Sequence, residues 1–224
     1  MRISVDIPAL NEADGIAATL QRLRTQRARG HVVRVVDGGC TYPAAARAAG
    51  LCDRLLQAPR GRARQMNAGA RAAHGDVLWF LHADTVVPAD ADALLLDALA
   101  RCAWGRFDVR LSGTQPLLRV VESLMNLRSR ITGIATGDQG LFVRREAFER
   151  VGGFPDIPLM EDIALSRTLS RHGPPACLRA RLVTSSRRWE HYGVLRTILL
   201  MWRLRFDYWR GVPPERLAAR YRQG

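Results

Sequence analysis

The chain reads as an α/β protein: a Rossmann-like, mostly parallel sheet flanked by helices, with a helical C-terminal extension. Three observations predict this. Apolar runs alternate with helix-like stretches over about the first hundred residues. The runs are apolar on both faces, as strands covered by helices on each side must be. From Arg187 to Arg222 helical spacing takes over, with many arginines and aromatic residues.

In chain order, Ile3–Ile7 is the first strand. Asn11 is placed to cap a helix running to about Arg27, with Ile16, Leu20 and Leu23 on one face. Val32–Val36, apolar except for Arg34, is the second strand. Pro43–Ala49 suits a short helix, Leu55–Leu56 a short strand and Ala63–Ala73 an Ala-rich helix. Val77–Leu81 is apolar throughout and forms the fourth strand; Ala89–Ala100 is helical. Phe107–Leu111 reads as a strand, Leu117–Ile131 as one amphipathic helix or two, and a further helix is expected near Glu161–Arg171. The expected division is an α/β domain over 1–184 and an extension over 185–224, packed on the same domain. The extension carries Trp189, Trp202, Phe206, Tyr208 and Trp209.

With 224 residues, 47% of them hydrophobic, one sizeable core is within reach. A charged fraction of 25% excludes a disordered chain. The net charge of +13 is unusual, and all 34 basic residues are arginines. Genomic base bias is one source of part of this preference for arginine over lysine, but the planar guanidinium suits phosphate and carboxylate. A nucleotide, a nucleic acid or an anionic membrane surface is the implied partner. Cys40, Cys52, Cys102 and Cys177 form no C-x-x-C pair, so neither a zinc knuckle nor a small disulfide framework is expected; they read as thiols of a reducing compartment. The first apolar run is cut by Asp6 and Pro8, unlike a signal peptide, and no run reaches the roughly 18–20 residues that span a bilayer. The expected location is cytoplasmic, with peripheral contact at the inner face of the membrane as an option.

Ligands of open α/β sheets bind beyond the carboxyl ends of the strands. Three polar clusters fall there: Pro8, Ala9, Leu10, Asn11 and Glu12 after strand one, Asp37, Gly38, Gly39 and Cys40 after strand two, and His82, Ala83 and Asp84 after strand four. Any strand end meets a polar loop, so one cluster alone says little; three on one edge point to a ligand site. No G-x-G-x-x-G follows the first strand and no G-x-x-x-x-G-K-[ST] loop exists, which disfavours dinucleotide and P-loop enzymes. What remains is a nucleotide site with an acid after strand two and a metal-binding carboxylate after strand four.

In order and spacing, "IPALNE", "VVDGG", "GRARQMNAGARAAHGDVLWFLHADT" and "GGFPDIPLMED" resemble a family 2 glycosyltransferase of the GT-A fold, over most of residues 1–170. "FLHADT", "GDQGLFVRR" and "SSRRW" are similar to a subgroup of short bacterial members known as rSAM/selenodomain-associated transferase family 2. The resemblance implies a nucleotide-sugar donor, a divalent cation (Mg²⁺ or Mn²⁺) on its diphosphate, and inversion at the anomeric carbon. Asp84 matches the metal-binding acid; its other reading is a cap on the turn before Pro88. His82 stands where the family has the first acid of D-x-D. Residues i and i+2 share a side of a strand, but imidazole suits hard cations less than carboxylate, so His82 is expected behind the ion's direct ligands or hydrogen-bonded to the donor rather than on the ion.

Asp37 resembles the acid that meets the nucleotide base or ribose. Gly38, Cys40 and Tyr42 replace the family's usual second acid, serine and aspartate, so uridine is expected from the family and not from these residues. One of Arg60, Arg62 and Arg64 would face a phosphate; a solvated basic helix is the other reading. Asp162 matches the catalytic base and Glu161 its neighbour. Successive helical residues point about 100° apart, so the two cannot be the opposed carboxylates of a glycosidase. Asp138 and Gln139, between Gly137 and Gly140, suggest a tight loop near donor diphosphate or acceptor. Arg187-Arg188-Trp189 resembles the Q-x-x-R-W box of processive members, with Ser185 in place of the glutamine. Arg188 would clamp phosphate and Trp189 would stack on acceptor. The C-terminal stretch suits an anionic membrane face, a cover on the core or an oligomer contact; on a membrane, a lipid-linked acceptor makes sense.

Two rival classes are weighed. A nucleotidyltransferase would carry a Gly-rich basic loop after strand one, where this chain has Pro8 to Glu12. A nucleic-acid-binding protein is suggested by charge alone, without a helix-turn-helix, zinc-finger or RNA-binding signature, and none is expected as a partner.

Overall fold

The computed structural model describes residues 1–11, 13–40, 48 and 50–223, and of residues 13 and 14 the backbone alone. Glu12, Tyr42 and the helix expected over Pro43–Ala49 lie outside the described residues, save Ala48, which is buried in the core.

Strands β1 (Ile3–Ala9), β2 (Val32–Asp37), β3 (Arg54–Gln57) and β4 (Val77–Phe80) pair in parallel. Beyond them come β5 (Trp104–Leu111), β6 (Phe142–Arg144) and β7 (Ala176–Thr184). The sheet order is β3-β2-β1-β4-β6-β5-β7. Only β6 opposes its neighbours; β5 and β7 run parallel to each other. The helices are α1 (Ala13–Arg22), α2 (Arg24–Ala28), α3 (Arg62–Arg71), α4 (Ala91–Leu99), α5 (Pro116–Thr132), α6 (Arg145–Arg150), α7 (Glu161–Ser170), α8 (Arg187–Tyr192), α9 (Val194–Trp209) and α10 (Pro214–Gln223).

Period-two alternation splits the core into two layers. Val77 and Trp79 of β4 join Ile3, Val5 and Ile7 beneath α1 and α4, where Ile16, Leu20, Leu95 and Leu99 close the layer. Leu78 and Phe80 face the other way, onto Met66, Phe148, Phe154 and Leu165. On that second face Asp6 and Arg34 are buried together: Arg34 Nε and Nη2 donate to the two Asp6 oxygens at 2.8 and 3.0 Å. Gly69 of α3 makes room, since a Cβ there would stand 2.5 Å from Asp6 Oδ1.

Several boundaries differ from the sequence reading. Pro8 and Ala9 belong to β1, opposite Val36 and Asp37. Proline is tolerated because the β1–β4 ladder ends at Asp6 and Phe80, so the missing N–H falls beyond it. The helix expected from Asn11 to Arg27 begins at Ala13 and breaks at Leu23; Asn11 itself takes a left-handed φ of 56°. β4 ends at Phe80, before Leu81.

The last three helices pack onto the α/β body. Val194, Ile198 and Trp189 meet Leu118, Val121 and Met125 of α5. Leu204 and Leu217 meet Met160 and Ile163. Among the described residues no helix is long and apolar enough to cross a membrane.

Candidate functional site

The carboxyl ends of β1 and β2 are tied by a residue the motifs do not mark. Gln65 of α3 donates from Nε2 to the carbonyls of Ala9 and Val36, both at 2.8 Å. Gly38 follows from this: a Cβ on it would lie 2.9 Å from the Gln65 amide. Asp37 Oδ1 accepts the N–H groups of Gly39 (3.1 Å) and Cys40 (2.9 Å). Burial pushes the Asp37 carboxyl up, but these bonds from Cys40 and Gly39 outweigh it and hold it below the usual range. Ala9 and Ala83 turn their methyls into the core, and the Ala83 carbonyl takes the Thr19 hydroxyl at 2.7 Å. Pro8 is half-buried, and the Asn11 N–H donates to Cys40 Sγ at 3.2 Å.

After β4 the chain turns, with Thr85 N–H donating to the His82 carbonyl at 3.2 Å. The i, i+2 argument for a strand therefore does not hold at His82 and Asp84. His82 leans toward the short 3₁₀ turn Gly137–Gln139, with Nδ1 3.3 Å from Asp138 Oδ1. Its Nε2 is buried and unpartnered, and a Cβ on Gly137 would stand 2.5 Å from it. Asp84 is half-buried, and among the described residues its carboxylate takes part in no hydrogen bond or ion pair. No group of three metal-ligating side chains gathers among the described residues. A lone, uncommitted carboxylate fits a hard cation that takes its other oxygens from phosphate and water.

The acidic pair is placed by the glycines before it. Gly152 and Gly153 adopt φ of 79° and 75°, a left-handed turn out of α6 that only glycine makes without strain. The turn drives Phe154 onto Phe80, ring centroids 4.9 Å apart and edge-on, and onto Phe148 at 5.6 Å. Asn67 locks the position, exchanging bonds of 2.8 and 3.0 Å with the Phe154 backbone. α7 then opens with Glu161, buried, and Asp162, half-buried. Glu161 Oε1 stands 3.7 Å from Arg62 Nη1. Burial raises the Glu161 carboxyl, Asp162 adds to the rise and Arg62 opposes it. Asp162 Oδ2 accepts the Gly137 N–H and Oδ1 the Ile163 N–H, each at 2.7 Å. The two ends of the chain's motif set therefore meet: His82, Asp138, Glu161, Asp162 and Arg62 form one cluster. Burial pushes Asp138 up, but His82, Arg62 and Arg205 hold it low.

Other expected residues lie elsewhere. Gln139 is fully buried and reaches back to the Thr136 N–H at 3.1 Å, so it shapes the turn rather than facing a ligand. Arg60 is exposed in the loop before α3, and Arg64 is bound to Asp156 at 2.8 Å. Arg188 stacks 3.8 Å from the Tyr221 ring centroid and donates to the Tyr221 carbonyl at 2.8 Å, fastening α10. Trp189 packs beside Leu118 and Val194. Two arginines absent from the sequence reading stand by the acids instead: Arg128 of α5 and Arg205 of α9. Burial lowers both, and Asp162 opposes the loss of charge in each. No local motif marks them; the available signal was their place beside apolar stripes of helical spacing.

The family model described as "Glycosyl transferase family 2" matches residues 4–152. An uncharacterized glycosyltransferase of Mycobacterium tuberculosis is 35% identical over 105 residues, covering 44% of this chain and 40% of the relative. Staphylococcus aureus TarS (residues 1–349) superposes over 88% of this chain and 64% of its own, with a TM-score of 0.68 at 18% identity. A mannosyltransferase from Pyrobaculum calidifontis, in complex with GDP-Man and Mn²⁺, superposes over 81% of this chain and 56% of its own, with a TM-score of 0.63 at 23% identity. The chain thus spans less than half the length of the curated relative.

Proposed function

The chain belongs to glycosyl transferase family 2, and from that premise we propose that it transfers a sugar with inversion from a nucleotide-sugar donor to an acceptor hydroxyl. The single observation that carries this reading is the convergence at the β4 end. Asp162, held at both oxygens by backbone N–H groups, lines one pocket with His82, Gly137 and Arg62, His82 reaches Asp138, and the uncommitted Asp84 follows His82 by two residues.

Asp162 takes the proton of the acceptor hydroxyl at a carboxylate oxygen as that hydroxyl oxygen bonds to the anomeric carbon. The bond from that carbon to the nucleoside diphosphate breaks on the opposite face, and its electron pair leaves with the diphosphate. The N–H groups of Gly137 and Ile163 fix the carboxylate's orientation while leaving lone pairs for the proton. Asp84 would hold a Mg²⁺ or Mn²⁺ ion, which when bound offsets the charge of the leaving diphosphate. Arg62, kept charged by Glu161 and Asp162 against partial burial, adds positive charge on the same side. Asp37, with Asn11 and Gly38 beside it, receives the nucleoside, which we take as uridine. The acceptor is proposed to be lipid-linked. Structural neighbours solved with UDP-GlcNAc and with GDP-Man and Mn²⁺ support a nucleotide-sugar donor and a divalent ion.

The test is thermal denaturation with UDP or GDP and Mg²⁺ or Mn²⁺. A nucleotide at a hundred times its Kd stabilises by about 2.7 kcal/mol, a rise of roughly 5–10 °C for a chain of this size. UDP is expected to give the larger shift, and only with a divalent ion. If neither nucleotide raises Tm with any divalent ion, the donor site is wrong.

A further inference from the structure

Ten of the twelve large hydrophobic side chains exposed among the described residues lie on two helices. On α5 they are Leu117, Val120, Leu124, Leu127 and Ile131, between 39% and 75% exposed. On α9 they are Leu195, Leu199, Trp202, Phe206 and Trp209, between 54% and 71% exposed. Spaced three and four apart, each set falls within an arc of about 80°. The opposite sides of both helices pack inward, α5 and α9 touching through Val121, Met125, Val194 and Ile198. The two stripes therefore flank the contact between α5 and α9, and exposed apolar side chains gathered in this way mark an interaction surface.

Between the helices lies an open cleft of about 590 Å³, lined by Arg128, Trp202, Arg203, Arg205 and Phe206. Arg128 Nε and Nη2 are buried there without a hydrogen-bond partner. Burial, with Arg205 nearby, brings the Arg128 guanidinium down to about 10 against the pull of Asp162, so it remains charged at neutral pH with two N–H groups unsatisfied. The helices carry just two acids: Glu122 is buried beside Arg119, and Asp207 is held by Arg220. The face thus carries two apolar stripes with a cationic cleft between them. With a net charge of +13, a second copy would bring like charge against it, whereas an anionic bilayer brings the opposite charge. Trp202 and Trp209 are the side chains that favour a lipid–water boundary.

We propose that α5 and α9 lie together on an anionic lipid bilayer, and that the cleft between them seats the phosphate group of a membrane lipid on Arg128 and Arg205. Arg128 and Arg205, which line the cleft, stand close enough to Asp162 to feel its charge, so the seated lipid is presented to the base; that last clause rests on the transfer reading above, while the membrane contact does not.

Co-sedimentation with vesicles tests it. The protein should pellet with phosphatidylcholine vesicles containing phosphatidylglycerol, and weakly with phosphatidylcholine alone. Arg128→Gln and Arg205→Gln should each weaken anionic-vesicle binding about fivefold, the worth of one surface arginine. Leu124→Glu with Leu199→Glu, both on the open face, should abolish binding while the folded circular dichroism spectrum and the nucleotide-induced Tm shift persist. Inorganic phosphate at vesicle-equivalent concentration should not displace the protein; full displacement would assign the cleft to free phosphate and overturn the lipid. Absence of vesicle binding, or a dimer in ultracentrifugation that the double glutamate variant splits, would overturn the proposal as well. Vesicle binding without any nucleotide shift would uphold this inference and refute the transferase reading.

Discussion

Alanine at Gly137 probes the contact that joins the β4 end to Asp162. The new Cβ would stand 2.5 Å from His82 Nε2 and 3.1 Å from its Cε1. Gly137 is not among the residues with positive φ, so the backbone accepts alanine and the cost is the contact itself. Overpacking of this kind costs about 1–3 kcal/mol. At about 2–4 °C per kcal/mol for a chain of this length, a loss near 2 kcal/mol lowers Tm by about 4–8 °C. His82→Ala removes the obstacle, so the double variant should be no less stable than His82→Ala alone. Four proteins followed by circular dichroism complete the cycle: wild type, each single variant and the double. The expected coupling is about 1 kcal/mol or more. Turnover should fall as well, because the same shift moves Asp138 and the N–H that holds Asp162. Additive Tm changes would refute the packing of His82 on Gly137.

The buried pair in the sheet makes further demands. Arg34→Met strands the Asp6 carboxyl in the core and should cost about 3–5 kcal/mol in urea unfolding, most of it recovered by adding Asp6→Leu. Burial raises Asp6 from 3.8 to about 6 against the pull of Arg34. Because the folded value is the higher one, the stability linked to its proton is full below pH 3.8 and is lost as pH rises through about 6. Asp6→Asn should therefore remove that fall from the profile of Tm against pH, and an unchanged profile would count against it. Gly69→Ala, with a Cβ 2.5 Å from Asp6 Oδ1, should lose about 1–3 kcal/mol in the same unfolding assay. Asp84→Ala should eliminate the metal-dependent part of any nucleotide-induced Tm shift; a shift of undiminished size with Mn²⁺ would free Asp84 of that role.

Strands β1, β2 and β4 were legible because they are central and buried on both faces, which leaves an unbroken apolar run. β7 was not. It is an edge strand with Arg179 and Arg181 both exposed within it, so its apolar residues do not stand out as a run. β6 escaped because three residues hold no periodicity, and its antiparallel pairing is decided by β4 and β5 on either side. In the site, Glu161 and Asp162 were readable through Gly152-Gly153-Phe154, whose turn and ring packing are local. Gln65, Arg128 and Arg205 were not, since each acquires its role from a contact made by a distant segment. Arg188 shows the converse: a local motif pointed to a ligand, while the fold uses the guanidinium against Tyr221.

Everything proposed for the reaction turns on Asp162 taking the acceptor's proton. Asp162→Asn keeps the size of the side chain and its bond from the Gly137 N–H while removing the base. The direct measurement is consumption of nucleotide-sugars in the presence of Mn²⁺, by transfer or slow hydrolysis, for wild type and this variant side by side. Wild type should consume a UDP-sugar, and Asp162→Asn should bind the nucleotide with an unchanged Tm shift yet turn over at least about a hundredfold more slowly. Equal turnover by the two proteins would contradict the assignment.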